Sequence, residues 1–278
     1  VDHQLLLVDC PDEAGLIHKI TGVLYDNGCN IVRNQEFVDE ANGRFFMRSE
    51  YVGDASPDVI VPSVQAILSP RAHVRVAPVG GRRIVVLATK EPHCLGELLL
   101  KHAEDELGAE IQAVISNHAN LEGLTRRFDV PFHTVPHEGL SRDEHETRIA
   151  DVIDQYEPDY LILAKYMRVL TPDFLRRFPG RIINIHHSFL PAFVGAAPYR
   201  QAFQRGVKII GATAHFVTEA LDEGPIIAQN VIPVDHSYSP ETMAKAGRDV
   251  EKLVLARAIK LVLEERVFLV GNRTVVFE

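Results

Sequence analysis

Three side chains of different chemistry stand near the ends of apolar runs: Asn184 and His186 in RIINIHHSFLPAFVGAAPY (181–199), and Asp222 in HFVTEALDEGPII (215–227). Asn184 and His186 are alternate residues of a strand-like segment, so their side chains leave it on the same side. Asp222 follows His186 by 36 residues, on a tight loop after a second apolar run. An amide donates hydrogen bonds without bearing charge. An imidazole and a carboxylate exchange or relay protons. A single histidine at a strand end, or a single aspartate in an LDEG turn, is ordinarily structural. Their joint spacing makes convergence on one crevice the stronger expectation. His186, His187, His215 and Asp222 also offer metal-type donors, which keeps a metal cluster open as an alternative. Neighbouring strand residues face opposite ways, so His187 is expected only to flank the site. His133 and His137 fall in a loop and are expected to face solvent.

The elements that would position these groups are legible as apolar runs. RIVVLAT, EIQAVIS, DYLILA, RIINI and IIGATAHFV read as buried strands. Helical stretches separate the first four, near 94–107, 141–156 and 171–178, and strands alternating with helices imply a doubly wound, mostly parallel sheet. In such sheets ligands bind beyond the carboxyl ends of the strands. Residues 239–264 form a long amphipathic helix, and VFLVGNRTVVF reads as a closing hairpin.

The first eighty residues follow a different pattern. HQLLLVD is a strand, and a helix with Asp12 as N-cap carries Leu16, Ile20, Val23 and Leu24 on one face. NIVRNQEFVDE and RFFMRSEYV flank Ala41-Asn42-Gly43 as a hairpin. A helix over 57–69 and the strand HVRVAP complete a βαββαβ, ferredoxin-like order. Gly80 and Gly81 mark the boundary, so domains are expected over 1–80 and 81–278.

The chain has 278 residues, 46% hydrophobic and 24% charged, enough for two globular domains. Its formal net charge of −9 argues against nucleic acid as a partner. The sequence has no apolar run of membrane-spanning length, and VDHQLLLVDCPDE lacks the basic start of a signal peptide, so a cytoplasmic protein without a membrane partner is expected. Cys10, Cys29 and Cys94 form no paired motif and are expected as reduced, buried thiols.

NIHxSxLPxFxG followed by HFVTxxLDxGPII resembles the folate-dependent formyltransferase family over about residues 83–278. That family includes glycinamide ribonucleotide transformylases, methionyl-tRNA formyltransferases and formyltetrahydrofolate deformylases. The resemblance implies Asn184, His186 and Asp222 as the catalytic set. LAKYMRVL (163–170) is similar to the segment that holds the pterin, which implies folate contacts at Met167, Arg168, Val169 and Leu170, with Val217 opposite. It implies no metal and no cofactor, folate being the substrate. In the chemistry it implies, Asp222 is base or relay, His186 acid and oxyanion partner, and Asn184 oxyanion donor.

The segment after the first strand of this half, ATKEPHCLGELL, departs from the glycine-rich phosphate cradle of the ribonucleotide enzymes: Glu91 has the wrong charge and Pro92 lacks an amide hydrogen. The N-terminal unit resembles an ACT domain, and that order of domains resembles the deformylase subgroup. Ala197 departs from that subgroup, where Arg or Asn is usual. The resemblance implies hydrolysis of 10-formyltetrahydrofolate to tetrahydrofolate and formate, a homo-oligomer, and an ACT domain that serves assembly or binds an amino-acid effector near Asp12 and Gly15. Formyl transfer to a small amine and a non-catalytic folate-binding regulator remain the alternatives.

Overall fold

The computed structural model describes residues 3–192 and 198–278, which fold as two compact units. The expected motif positions Phe193 and Gly195, and Ala197, lie outside the described residues.

The first unit runs to Gly81. Its elements are β1 (His3–Pro11), α1 (Leu16–Asp26), β2 (Asn30–Asp39), β3 (Arg44–Val52), α2 (Pro57–Ile67) and β4 (His73–Pro78). The four strands form one antiparallel sheet in the order β2-β3-β1-β4, the ferredoxin-like arrangement expected. α1 is capped by Gly15 in the left-handed region (φ 87), not by Asp12. The Asp12 backbone N–H instead donates to the Gly43 carbonyl at 2.9 Å, tying the end of β1 to the β2–β3 turn. Leu6, Val8, Ile20, Leu24, Met47, Ile60 and Val64 form the core between sheet and helices.

β1 is also buried on its other face, which is why LLLV reads as a continuous apolar run rather than an alternation. There Leu5, Leu7 and Ala77 pack against Phe268, whose ring also meets that of Phe46 edge-on at 5.6 Å. The buried Arg48 donates to the Glu264 carbonyl at 2.9 Å. Glu264–Phe268 and Val276–Glu278 thus belong to the first unit, although the sequence pattern assigns everything after residue 80 to the second. A sheet with two apolar faces and helices on only one needs a further cover, and this far end of the chain supplies it.

The second unit spans Arg82–Leu263 and Leu269–Val275. Its elements are β5 (Arg82–Ala88), α3 (His93–Ala103), β6 (Ala109–Ser116), α4 (Glu122–Thr125), β7 (Phe132–Thr134), α5 (Arg142–Ile153), β8 (Tyr160–Ala164), α6 (Pro172–Arg177), β9 (Ile182–His186), α7 (Pro198–Arg205), β10 (Ile209–Phe216), β11 (Ile226–Pro233) and α8 (Pro240–Leu263); the closing hairpin is β12 (Val267–Val270) and β13 (Arg273–Val276). The sheet order is β11-β10-β9-β8-β5-β6-β7. β5 through β9 are parallel, and β10 and β11 run antiparallel at one edge. Sequence order reverses between β5 and β8, the position beyond which such sheets hold ligands. β7 and β11 are absent from the sequence expectation: β7 is only three residues long, and β11 buries a single residue among half-buried and exposed ones. His133 lies on β7 rather than in a loop, half-buried, with Nε2 2.6 Å from the Tyr156 hydroxyl.

α5 starts where a Ser141–Glu144 capping box satisfies its first amides, and α6 where Thr171 caps Phe174. No helix among the described residues is long and apolar enough to cross a membrane.

The role of the returning segment is open to measurement. Phe268→Ala should lower the unfolding free energy by about 2 kcal/mol and speed amide exchange in β1 and β3. Unchanged exchange there would show that the sheet does not depend on this cover.

Candidate functional site

At the ends of β8 and β9 a cavity of about 380 Å³ opens. Its lining includes the polar residues Lys165, Asn184, His186, His187, His215 and Asp222 and the apolar residues Met167, Val169, Leu170, Val217 and Leu221. Every residue expected to be catalytic or to contact the folate lines it, Arg168 included.

The strands place the first two groups. Asn184 and His186 extend from the same face of β9, and register sets Asn184 opposite His215 of β10. The Asn184 amide nitrogen lies 3.2 Å from His215 Nε2, while His215 Nδ1 lies 2.9 Å from the Phe216 carbonyl. Nδ1 therefore carries the hydrogen, Nε2 accepts from Asn184, and the amide is oriented by a buried neutral imidazole. Burial, first, lowers the pKa of His215, which keeps this tautomeric arrangement at neutral pH. His215 is thus a positioning residue that sequence spacing suggested only as a metal ligand. Its place opening the second motif, in register with Asn184, was the available signal.

Asp222 is delivered by the loop after β10. The loop folds back so that the Phe216 N–H donates to the Pro225 carbonyl at 2.9 Å. A Cβ on Gly224 would lie 1.8 Å from the Phe216 carbonyl oxygen, so only glycine permits this approach. Asp222 itself has φ 57, within the left-handed region an aspartate tolerates. The result is a carboxylate oxygen 3.3 Å from His186 Nδ1 and 3.8 Å from His215 Nε2. The hydrogen bond from His186 lowers the Asp222 pKa against the opposing effect of burial, so Asp222 is ionised at neutral pH. His186 Nε2 is buried without a partner among the described residues. It is a polar atom awaiting one.

His187 departs from the expectation. It lines the same cavity, its ring centroid 5.2 Å from that of His186. β9 ends at His186, so strand alternation no longer governs the next residue. Burial and then the Lys165 charge push the His187 pKa down to about 4.

Behind this wall lies a second polar assembly. Glu251 of α8 is 1% exposed and receives Tyr199 at 2.6 Å, His93 at 2.8 Å and Lys165 at 3.1 Å. Burial would raise the Glu251 pKa, but those partners bring it down to about 2. Gly247 makes room: a Cβ there would lie 1.9 Å from the Tyr199 hydroxyl. Lys165 adopts φ 61, strained for a non-glycine residue, to reach Glu251 from the end of β8. Among the described residues, donor atoms of metal-binding type gather within 4.8 Å only at His93, Cys94 and Glu251, not at His186, His187, His215 and Asp222. There Glu251 is already taken by three donors, and burial raises the Cys94 pKa and keeps the thiol protonated.

Asp12 and Gly15, the expected regulatory residues, lie in the first unit at the turn before α1. The Asp12 amide is already taken by Gly43.

The formyl transferase family matches residues 82–259, and the ACT domain family matches residues 4–68. The chain is 57% identical over 277 residues to the formyltetrahydrofolate deformylase of Escherichia coli strain K12, covering 99% of each. A crystal structure of a formyltetrahydrofolate deformylase from Pseudomonas syringae superposes with a TM-score of 0.95 at 38% identity, covering 100% of this chain and 95% of that one. The glycinamide ribonucleotide transformylase 1 of Symbiobacterium toebii gives 0.68 at 36% identity over 71% of this chain and 95% of its own.

Two outcomes follow from the geometry. Gly224→Ala should cost about 3 kcal/mol of stability, because the loop must leave β10; an unchanged melting temperature would mean that the loop tolerates displacement. His187 is depressed in the fold, so its contribution to stability is complete above its ordinary pKa and is lost as pH falls toward about 4. Urea titrations across that window should show a decline that His187→Gln partly removes, and parallel curves would contradict the assignment.

Proposed function

The chain belongs to the formyltetrahydrofolate deformylase family, and from that premise we propose how its own residues divide the hydrolysis of 10-formyltetrahydrofolate to tetrahydrofolate and formate. The pterin and its linker lie along the apolar wall of Met167, Val169, Leu170 and Val217, with Arg168 at its rim. The formyl group then faces Asn184, His186 and Asp222. The observation that carries this reading is that the three groups line one cavity, with Asp222 and His186 Nδ1 3.3 Å apart and His186 Nε2 left without a partner among the described residues.

Water attacks the formyl carbon, and a new C–O bond forms as the carbonyl electrons move to oxygen. The Asn184 amide and a protonated Nε2 of His186 donate to that oxygen; each such donor contributes about 3 kcal/mol to the transition state. Asp222 takes the water proton and passes it to N10. Collapse then breaks the C–N10 bond, leaving tetrahydrofolate and formic acid, which ionises to formate in water. Water is the simplest acceptor for a site whose lining also includes Lys165 and His187. The formate would supply purine synthesis and the reaction would balance the one-carbon folate pool.

The same reading assigns chemistry to residues 81–278 and regulation or assembly to residues 1–80, in a cytoplasmic homo-oligomer. An amino-acid effector would bind at the Gly15 turn, beside Asp12.

Purified protein given 10-formyltetrahydrofolate alone should release formate and tetrahydrofolate in equal amounts. Asp222→Asn should lower kcat by about 1000-fold or more while folate binds within about threefold of the parent, a small change in affinity. Turnover retained in that variant would defeat the assignment, as would tetrahydrofolate release that requires an added amine.

A further inference from the structure

His187 is a polar group in the cavity to which the three catalytic groups assign no task. It follows His186 in the chain, lines the same space, and makes no hydrogen bond to any described residue. On one side its ring faces His186, and on another it approaches Tyr199, with centroids 6.2 Å apart. Lys165, anchored by Glu251, lines the cavity with it. A half-buried imidazole with no hydrogen-bond partner among the described residues can offer a ring nitrogen to what occupies the cavity.

We propose that His187 binds the hydrolytic water, accepting one of its hydrogens at a ring nitrogen while Asp222 accepts the other, so that a lone pair of the water oxygen faces the formyl carbon. The inference rests on the hydrolytic reading above and adds the residue that orients the nucleophile. The balance of atoms is unchanged: the hydrogen on Asp222 is the one relayed to N10, and the hydrogen facing His187 stays on the new hydroxyl and leaves with formic acid, which ionises to formate in water.

Two observations and one general consideration support the role. The neutral ring keeps an acceptor lone pair at neutral pH, since burial and the Lys165 charge oppose its protonation. Lys165 is itself held by a carboxylate with three donors, so it is a fixed cation rather than a competing flexible base. Finally, two acceptors on one water restrict its orientation, and such positioning accounts for a large share of catalysis when the reacting atoms are close.

The test compares His187→Gln, whose amide oxygen can still accept, with His187→Leu, which cannot. Rates are normalised to folate-binding sites counted by titration, so partial folding does not obscure them. His187→Leu should lose about 100-fold in kcat and His187→Gln about 10-fold, both with KM within about threefold of the parent. A Leu variant with the parent kcat would overturn the proposal. So would a raised KM at unchanged kcat, which would make His187 a folate contact. Equal losses in both variants would also overturn it, because the acceptor would then be irrelevant. Failure of the underlying reading looks different: the parent protein itself would release no formate.

Discussion

The geometry of the cavity depends on how tightly the chain folds back after β10. With Gly224 against the Phe216 carbonyl and the Phe216 amide bonded to Pro225, the intervening residues have no slack. Asp222 is therefore held beside His186 by backbone packing, not by a flexible side chain seeking a partner. The carboxylate enters a half-buried site at a desolvation cost, which the hydrogen bond from His186 offsets. A looser loop would let Asp222 reach water and lose its partner.

Sheet register supplies the complementary half. β9 pairs with an antiparallel β10, which puts His215 across from Asn184 and fixes the amide's direction. A site of this kind needs few mobile parts, since strand pairing and one glycine determine three of its polar groups. Lys165 and Glu251 extend the same logic beneath the wall. Two charges that would be costly alone are buried as a pair, with Tyr199 and His93 satisfying the remaining carboxylate capacity.

Much of this was readable from sequence because its causes are local. Buried parallel strands appear as unbroken apolar runs, and the alternation of Asn184 and His186 follows from strand geometry alone. The two motif segments carry their glycine and acid at fixed offsets. What was not readable arises from partners distant in sequence. Strand alternation predicts that His187 only flanks the site, but β9 ends at His186 and alternation ends with it. Asp12 was expected as a cap because its type suits the role, but its amide is bonded to Gly43. The segment around Phe268 looked like the end of the second unit, since nothing in its residues announces that β1 lacks a cover. Glu251, on a long amphipathic helix, looks like any surface acid until Lys165, His93 and Tyr199 are seen to surround it.

The central claim is spatial: one formyl group meets Asn184, His186 and Asp222 together. It is tested most directly by a crystal structure with a folate whose formyl group resists hydrolysis. The account predicts the formyl oxygen within hydrogen-bond distance, about 3 Å, of the Asn184 amide nitrogen and His186 Nε2, with the pterin along Met167 and Val169. A formyl group bound elsewhere in the cavity, or the pterin lying where Lys165 and His187 stand, would contradict it.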